Sequence, residues 1–297
     1  MLVRDDTDPW NVRPLLGARD QLGEGPHWDH VAEELLRVDI TNGRVHAWRP
    51  ATGATWSLSL EGDVSAVVPR KRGGHVLAVG HEIVLRDADG TLRPLVGVER
   101  ELDDNRFNDC RCDARGRLWA GTMSRSRTPG TAALYRVDPD GACARVLDGT
   151  TISNGIGWSP DGERMYFIDS TTQRIDVLDF DADTGTIANR CTLIEIDPRD
   201  GLPDGLTVDA EGGIWVALFG GGALRRYDAD GTLVAAIPLP ATNPTCPAFG
   251  GPQLDTLYVT SARHRLTPDQ LAAEPLAGAL LELDPGVRGL PAHRFGG

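Results

Sequence analysis

Residues 152–170 read ISNGIGWSPDGERMYFIDS. A short apolar run, an Asp161-Gly162 turn and a second, more apolar run make a β-hairpin, because an Asp-Gly pair between two strand-like segments supplies the tight reversal. The pattern recurs as EGPHWDHVAEELLRVDI, SAVVPRKRGGHVLAVG, NDCRCDARGRLWAGT, DGLTVDAEGGIWVALFG and TCPAFGGPQLDTLYVTS. Between the copies lies a second signature, a strand that runs into an acidic turn and glycine. Its copies are RVHAWRPATG (44–53), HEIVLRDADG (81–90), AALYRVDPDG (132–141), RIDVLDFDADTG (174–185), ALRRYDADG (223–231) and ALLELDPGVRG (279–289). Six of each, at a spacing of roughly 40 to 50 residues, match the length of a four-stranded blade that buries its faces only against its neighbours.

Helical periodicity is nearly absent, so the fold read from the sequence is all-β: a six-bladed β-propeller with a central channel. A twice-repeated eight-stranded sandwich would not produce six copies. The segment VRPLLGA (12–18) precedes the first blade with no blade of its own, and is expected to pair with the C-terminal blade and close the ring. Residues 1–297 are read as one propeller domain, with 1–11 as a poorly ordered N-terminal arm.

The composition, 40% hydrophobic and 25% charged, suits a chain that buries a sizeable core. A net charge of −13 argues against nucleic acid or an anionic membrane as a partner. No signal-like segment or apolar run of spanning length is present. The five cysteines are odd in number and contain no C-x-x-C pair, which points to buried free thiols in a reduced, cytoplasmic setting. Cys110 and Cys112 flank Arg111 as neighbours on one strand face, a packing pattern rather than a thiolate site.

Counting back five residues from each hairpin turn reaches Glu24, Ser65, Asn108, Asn154, Asp204 and Thr245. The innermost strand of a propeller blade runs along the channel, so its beginning lies at one mouth and equivalent positions converge on the axis. All six side chains carry oxygen. An isolated Asn-Gly is ordinarily a turn, but that does not explain Glu24, a poor turn residue, nor the registration across blades. Glycine follows Glu24, Asn154 and Asp204, allowing close backbone approach. Carboxylates and amides aimed at one axis need a cation between them. Hard oxygen donors without a convincing histidine suit Ca²⁺ best, with Mg²⁺, Mn²⁺ or Zn²⁺ also compatible.

The segments LGEGPHWD, RFNDCRCDARGRLWAGTM, ISNGIGWSPDGERMYFIDS, LPDGLTVDAEGGIWVALFGGG and NPTCPAFGGPQLDTLYVTSAR together resemble the SMP-30/gluconolactonase/luciferin-regenerating family. The resemblance runs in order from about residue 20 to 290. It implies a six-bladed propeller, one divalent metal ion at the channel and hydrolysis of sugar lactones. Carried over by position, it implies metal ligands at Glu24, Asn154 and Asp204 and substrate contacts at Arg106 and Asn108. One stretch departs: acidic residues often follow GTM in lactone-hydrolysing members, whereas here Ser124, Arg125, Ser126 and Arg127 follow. Ser124 is taken as a substrate-binding residue there, and the identity of the lactone stays open.

In such a site Asp204 is the candidate general base, or a ligand only. Other chemistries find no support. There is no Gly-x-Ser-x-Gly elbow, HEIVL (81–85) lacks the second histidine of a zincin, and Lys71 is the only lysine. His27 is more naturally a packed strand histidine than a catalytic group, and Trp119, Trp158 and Trp215 read as inter-blade packing. Three functional classes remain: lactone hydrolysis, organophosphate or ester hydrolysis, and a non-catalytic metal-binding propeller. The expected partner is a small-molecule lactone, and the expected state a monomer or weak oligomer.

Overall fold

The computed structural model describes residues 9–297. It contains six four-stranded antiparallel sheets arranged as a ring. The innermost strands are β2 (Gly23–Asp29), β6 (Val64–Pro69), β10 (Asn105–Cys112), β14 (Ser153–Trp158), β18 (Leu202–Val208) and β22 (Pro244–Gly250). Each pairs with the second strand of its hairpin: β3 (Glu34–Asp39), β7 (His75–Val79), β11 (Leu118–Ser124), β15 (Arg164–Asp169), β19 (Ile214–Phe219) and β23 (Thr256–Ser261). The second strands are buried on both faces because each lies between two neighbouring blades. Val76, Leu77 and Ala78 of β7 are all buried, as are Val216, Ala217 and Leu218 of β19.

The acidic-turn signature forms the third strands, among them β12 (Ala132–Val137), β16 (Arg174–Asp181) and β24 (Leu280–Leu283). In the last blade no fourth strand follows β24. Its place is taken by β1 (Arg13–Leu15), which pairs Arg13 with Glu282 and Leu15 with Leu280. The N-terminal strand therefore closes the ring, as expected. Of residues 1–11, read as a poorly ordered arm, residues 1–8 lie outside the described residues, whereas Trp10 is packed against the ring. Its ring meets Trp215 edge-on at 6.5 Å, and its carbonyl accepts from the Asp284 amide, because a large indole gains more by packing than by staying in water.

Two features were not foreseen. Residues 284–297 cross the face of the ring at which the innermost strands end. There Phe295 inserts into the core beside Ala66 and Phe107, and its carbonyl accepts from the Lys71 amide. A short helix, α1 (Pro268–Ala273), interrupts the link from β23 to β24 and is held by a Thr267–Gln270 capping box. The tryptophans pack between blades as read: Trp119 lies edge-on to Trp158 at 6.1 Å, and Trp215 to Phe249 at 6.0 Å. Cys110, Cys112 and Cys246 are buried, and burial holds these thiols well above their usual pKa. Cys143 and Cys191 are exposed, contrary to the expectation of buried thiols, because both lie on outermost strands with one face in water. Among the described residues no helix is long and apolar enough to cross a membrane.

Candidate metal centre and substrate cavity

Every innermost strand breaks register with its partner at the position reached by counting back from the turn. The irregularities fall at Glu24/His27, Val64/Ala66, Phe107/Cys110, Asn154/Ile156, Pro203/Leu206 and Pro244/Pro247. A β-bulge bends the strand and re-aims the extra residue. Ser65, Asn108, Asp204 and Thr245 lie inside these irregularities, whereas Glu24 and Asn154 stand at their edge, still paired with Val38 and Ile168.

Their side chains divide into two groups. Ser65 Oγ donates to the Phe107 carbonyl at 2.6 Å, Thr245 Oγ1 to the Gly23 carbonyl at 2.6 Å, and Asn108 Nδ2 to the Ser153 carbonyl at 3.0 Å. Each stitches its blade to the next, a contribution of about 0.5–1.5 kcal/mol apiece. Glu24, Asn154 and Asp204 make no side-chain bond to a neighbouring blade's backbone carbonyl and line a cavity of about 430 Å³ at the channel mouth. Asn154 Nδ2 donates to Ser170 Oγ at 3.1 Å and to Asp204 Oδ1, while Glu24 Oε2 accepts from the Gly25 amide at 2.9 Å.

The glycines after these residues have a different task from ligand approach. A Cβ on Gly155 would stand 2.8 Å from the Asp204 carbonyl, and one on Gly205 would stand 2.4 Å from Cys246 Sγ. Here glycine lets adjacent innermost strands converge. Gly25, at φ +53°, is the one of the three that needs the left-handed region.

Electrostatics single out the same carboxylates. Burial, then the neighbouring Asp109, pushes Glu24 up to about 8. Burial and the nearby Glu24 charge hold Asp204 well above the usual carboxylate range. Two buried carboxyls, with an amide beside them and only the Arg106 and Arg111 charges nearby to offset them, form an oxygen-donor set in which neither carboxyl has an ion pair among the described residues. A divalent cation supplies a charge partner, so these residues fit such an ion. No group of three or more His, Cys, Asp or Glu side chains among the described residues forms a metal cluster, so the Asn154 amide oxygen is needed as third donor.

Arg106 sits beside the centre with its guanidinium buried, which lowers its pKa to about 10. It donates to the Asn108 Oδ1 at 2.9 Å and to the Phe107 carbonyl at 2.7 Å, and faces Asp63 at 3.4 Å. Arg106 and Asn108 both line the cavity. Ser124 does not line it: fully buried, it donates to Asp104 and accepts from the Thr128 amide, bracing the loop after β11. The cavity lining instead includes Arg125 and Arg127 of that loop.

Sequence reading missed Asp63, which binds both Arg106 and Arg125, and the pair His264 and Arg265 from the link between β23 and β24. It also missed Asp109 and Arg111, deeper in the channel; Arg111 donates to the Pro26 carbonyl at 2.9 Å and to Cys246 Sγ at 3.0 Å. The signal for the last two was present, since period-2 alternation with core-facing Cys110 and Cys112 turns residues 109 and 111 toward the axis. His27 lines a second cavity at the opposite end of the channel, where burial and Arg111 push its pKa down to about 3.

A six-bladed propeller whose channel mouth gathers two carboxylates and an amide is one that carries an oxygen-donor site on its axis. Residues 22–263 match the model of the SMP-30/gluconolactonase/LRE-like region, and the chain belongs to that family. Regucalcin of Xenopus laevis is 37% identical over 285 residues, covering 93% of this chain and 95% of that protein. The crystal structure of a calcium-binding protein, regucalcin, from Agrobacterium tumefaciens superposes with a TM-score of 0.92 at 34% identity, covering 97% and 98% of the two chains. A luciferin-regenerating enzyme superposes with a TM-score of 0.91 at 32% identity, covering 97% and 99%.

Proposed function

We propose that this protein is a divalent-metal-dependent lactonase that hydrolyses a sugar (aldono-) lactone to the free acid. The observation that carries this reading is the convergence of Glu24, Asn154 and Asp204, with neither carboxylate in an ion pair among the described residues, beside a buried arginine in a cavity of small-molecule size. Family membership supports it.

Glu24, Asn154 and Asp204 would hold the metal through their side-chain oxygens, and a metal held there would supply Lewis acidity toward the lactone carbonyl. Asp204 takes a proton from the attacking water. The water oxygen bonds to the carbonyl carbon, the ring C–O bond breaks, and the ring oxygen leaves as a hydroxyl by taking the proton that Asp204 removed from water. Arg106 and Asn108, already locked to each other, present donors to the substrate's ring oxygen and hydroxyls without further reorganisation. Leu22, Ile40, Met123, Ile152, Leu202 and Phe219 give the cavity an apolar wall, which strengthens these polar contacts by thinning the water around them. Calcium is the preferred ion, on the all-oxygen donor set and the calcium-binding relative. A cytoplasmic monomer or weak oligomer acting on a small molecule is consistent with five free cysteines and a charge of −13.

A second reading, metal binding without turnover, is favoured by the regucalcin relative described as a calcium-binding protein. Proton release from a panel of aldonolactones and phosphotriesters, with and without EDTA, separates the readings. EDTA-sensitive turnover of lactones alone is the expected result. Turnover of phosphotriesters alone would establish the ester-hydrolase class, and inert but calcium-loaded protein the binding class.

A further inference from the structure

The cavity is cationic in a strongly acidic protein. Four guanidiniums line it, Arg106, Arg125, Arg127 and Arg265, against three carboxylates, Glu24, Asp204 and Asp63. Glu24 and Asp204 are the carboxylates a divalent ion neutralises. Asp63 is already shared between Arg106 and Arg125. Neither Arg127 nor Arg265 is in an ion pair among the described residues: Asp204 is the acidic charge that bears on Arg127, Arg265 Nε donates to His264 Nε2 at 3.4 Å, and Arg127 Nε is buried without a hydrogen-bond acceptor. Leaving a buried donor of a charged group unmatched is costly, so its partner is to be sought in a ligand.

Both arginines are held in place at a conformational cost. Arg127 has φ 61° and Arg265 φ 67°, the left-handed region that side-chain-bearing residues adopt where the surroundings impose it. The Arg127 turn is fixed by its amide donating to the Ser124 carbonyl at 3.0 Å and by the Ser124–Asp104–Ser126 hydrogen-bond cluster. Arg265 follows His264, whose amide donates to the Gln21 carbonyl at 2.9 Å and whose carbonyl accepts from Asn243 Nδ2 at 2.9 Å. The loops come from the third and sixth blades, opposite each other in the ring, yet Arg265 is the leading charge opposing Arg127, after burial, in lowering its pKa. His264, between them, is likewise pushed toward its neutral form by burial and by Arg265, Arg106 and Arg127. Pre-positioned cations that converge without an ion-paired carboxylate, the nearby Asp204 being claimed by the metal, form an anion subsite.

Resting on the lactonase reading above, we propose that the preferred substrate is a lactone carrying an additional anionic group, a carboxylate or a phosphate. Arg127 and Arg265 hold this group while the lactone carbonyl lies at the Glu24–Asn154–Asp204 centre.

Three lactones test this on the calcium-loaded protein: neutral D-glucono-1,5-lactone, its 6-phosphate and a hexaric acid monolactone. The expected result is a kcat/KM at least about tenfold higher for one of the anionic lactones, shrinking as salt rises because the attraction is screened. The phosphate and carboxylate arms identify which anion is used. Arg127→Gln and, independently, Arg265→Gln on its exposed loop should each lower the anionic-to-neutral ratio several-fold. Titration calorimetry with gluconate, 6-phosphogluconate and a hexarate reads the same preference without turnover. A neutral lactone turned over as well as both anionic ones, with ratios unmoved in the variants, overturns the anion subsite and leaves the lactonase standing. No lactone turnover, with product acids bound alike, overturns both.

Discussion

Asp204 and Asp209 lie five residues apart at the two ends of one innermost strand, and their surroundings are opposite. Asp209 is fully buried, and four donors meet it: the Glu211 and Gly213 amides, Trp215 Nε1 and Arg226 Nε, at 2.8–2.9 Å. Asp113 repeats the arrangement with the Arg115 and Arg117 amides, Arg117 Nε and Trp119 Nε1. Asp204 is nearly as buried, but its described donor is the Asn154 amide, and its near neighbour is another carboxylate. A buried carboxylate surrounded by donors holds a fold together. One left short of them awaits a cation or a proton.

Exchanging these roles by mutation would break the comparison. Asp204→Ala should reduce lactone turnover by about 10³-fold or more, remove calcium binding in calorimetry, and leave the metal-free melting temperature unchanged or higher. A metal-free variant less stable than the parent would show that Asp204 is structural after all. Asp209→Ala should leave calcium affinity intact in the folded fraction but cost about 3–5 kcal/mol in denaturant unfolding, because Arg226 and Trp215 lose a buried partner. Gly205→Ala, which forces a Cβ against Cys246, should cost about 1–3 kcal/mol and weaken calcium binding by tilting Asp204. Last, calcium affinity should rise with pH above the usual carboxylate values, by up to about tenfold per unit for each proton displaced. The sign follows from Glu24 and Asp204 both being raised in the metal-free fold, so their protonated forms must be surrendered on binding. For the same reason the metal-free protein should lose melting temperature as pH climbs from about 4.5 toward 8, while the calcium-loaded protein should not. A flat affinity profile in calorimetry would show that the carboxylates are already ionised.

The ring and the centre were legible because repetition is visible in a one-dimensional string. Six hairpins, six acidic turns and six oxygen-bearing positions can be aligned without knowing any distance. The bulges were not legible, since an extra residue changes neither composition nor apolar alternation enough to be noticed. Nor could Ser65 and Thr245 be told from Glu24 without the Phe107 and Gly23 carbonyls that accept their hydroxyl protons, although hydroxyls bond a neighbouring backbone well and bind cations poorly. Ser124 followed from sequence position, but a side chain at a strand end can turn to the loop as readily as to the cavity, and Asp104 decides it. Asp63 and Arg265 reach the site across blade boundaries, and such proximity depends on the curvature of the ring, which no local pattern records.

The pairing of β1 with β24 also bears on how fast the molecule forms. Contacts within five blades join residues close in sequence, whereas the last blade is incomplete until the two ends of the chain meet. Closure of so long a loop is entropically slow, and until it happens β24 offers an unpaired edge to other chains. Refolding should therefore show a late phase that depends on Arg13–Leu15, with aggregation rising with protein concentration during that phase. A circular permutant that joins the native ends and opens the chain in an inter-blade turn would move that delay to another blade without altering the finished ring.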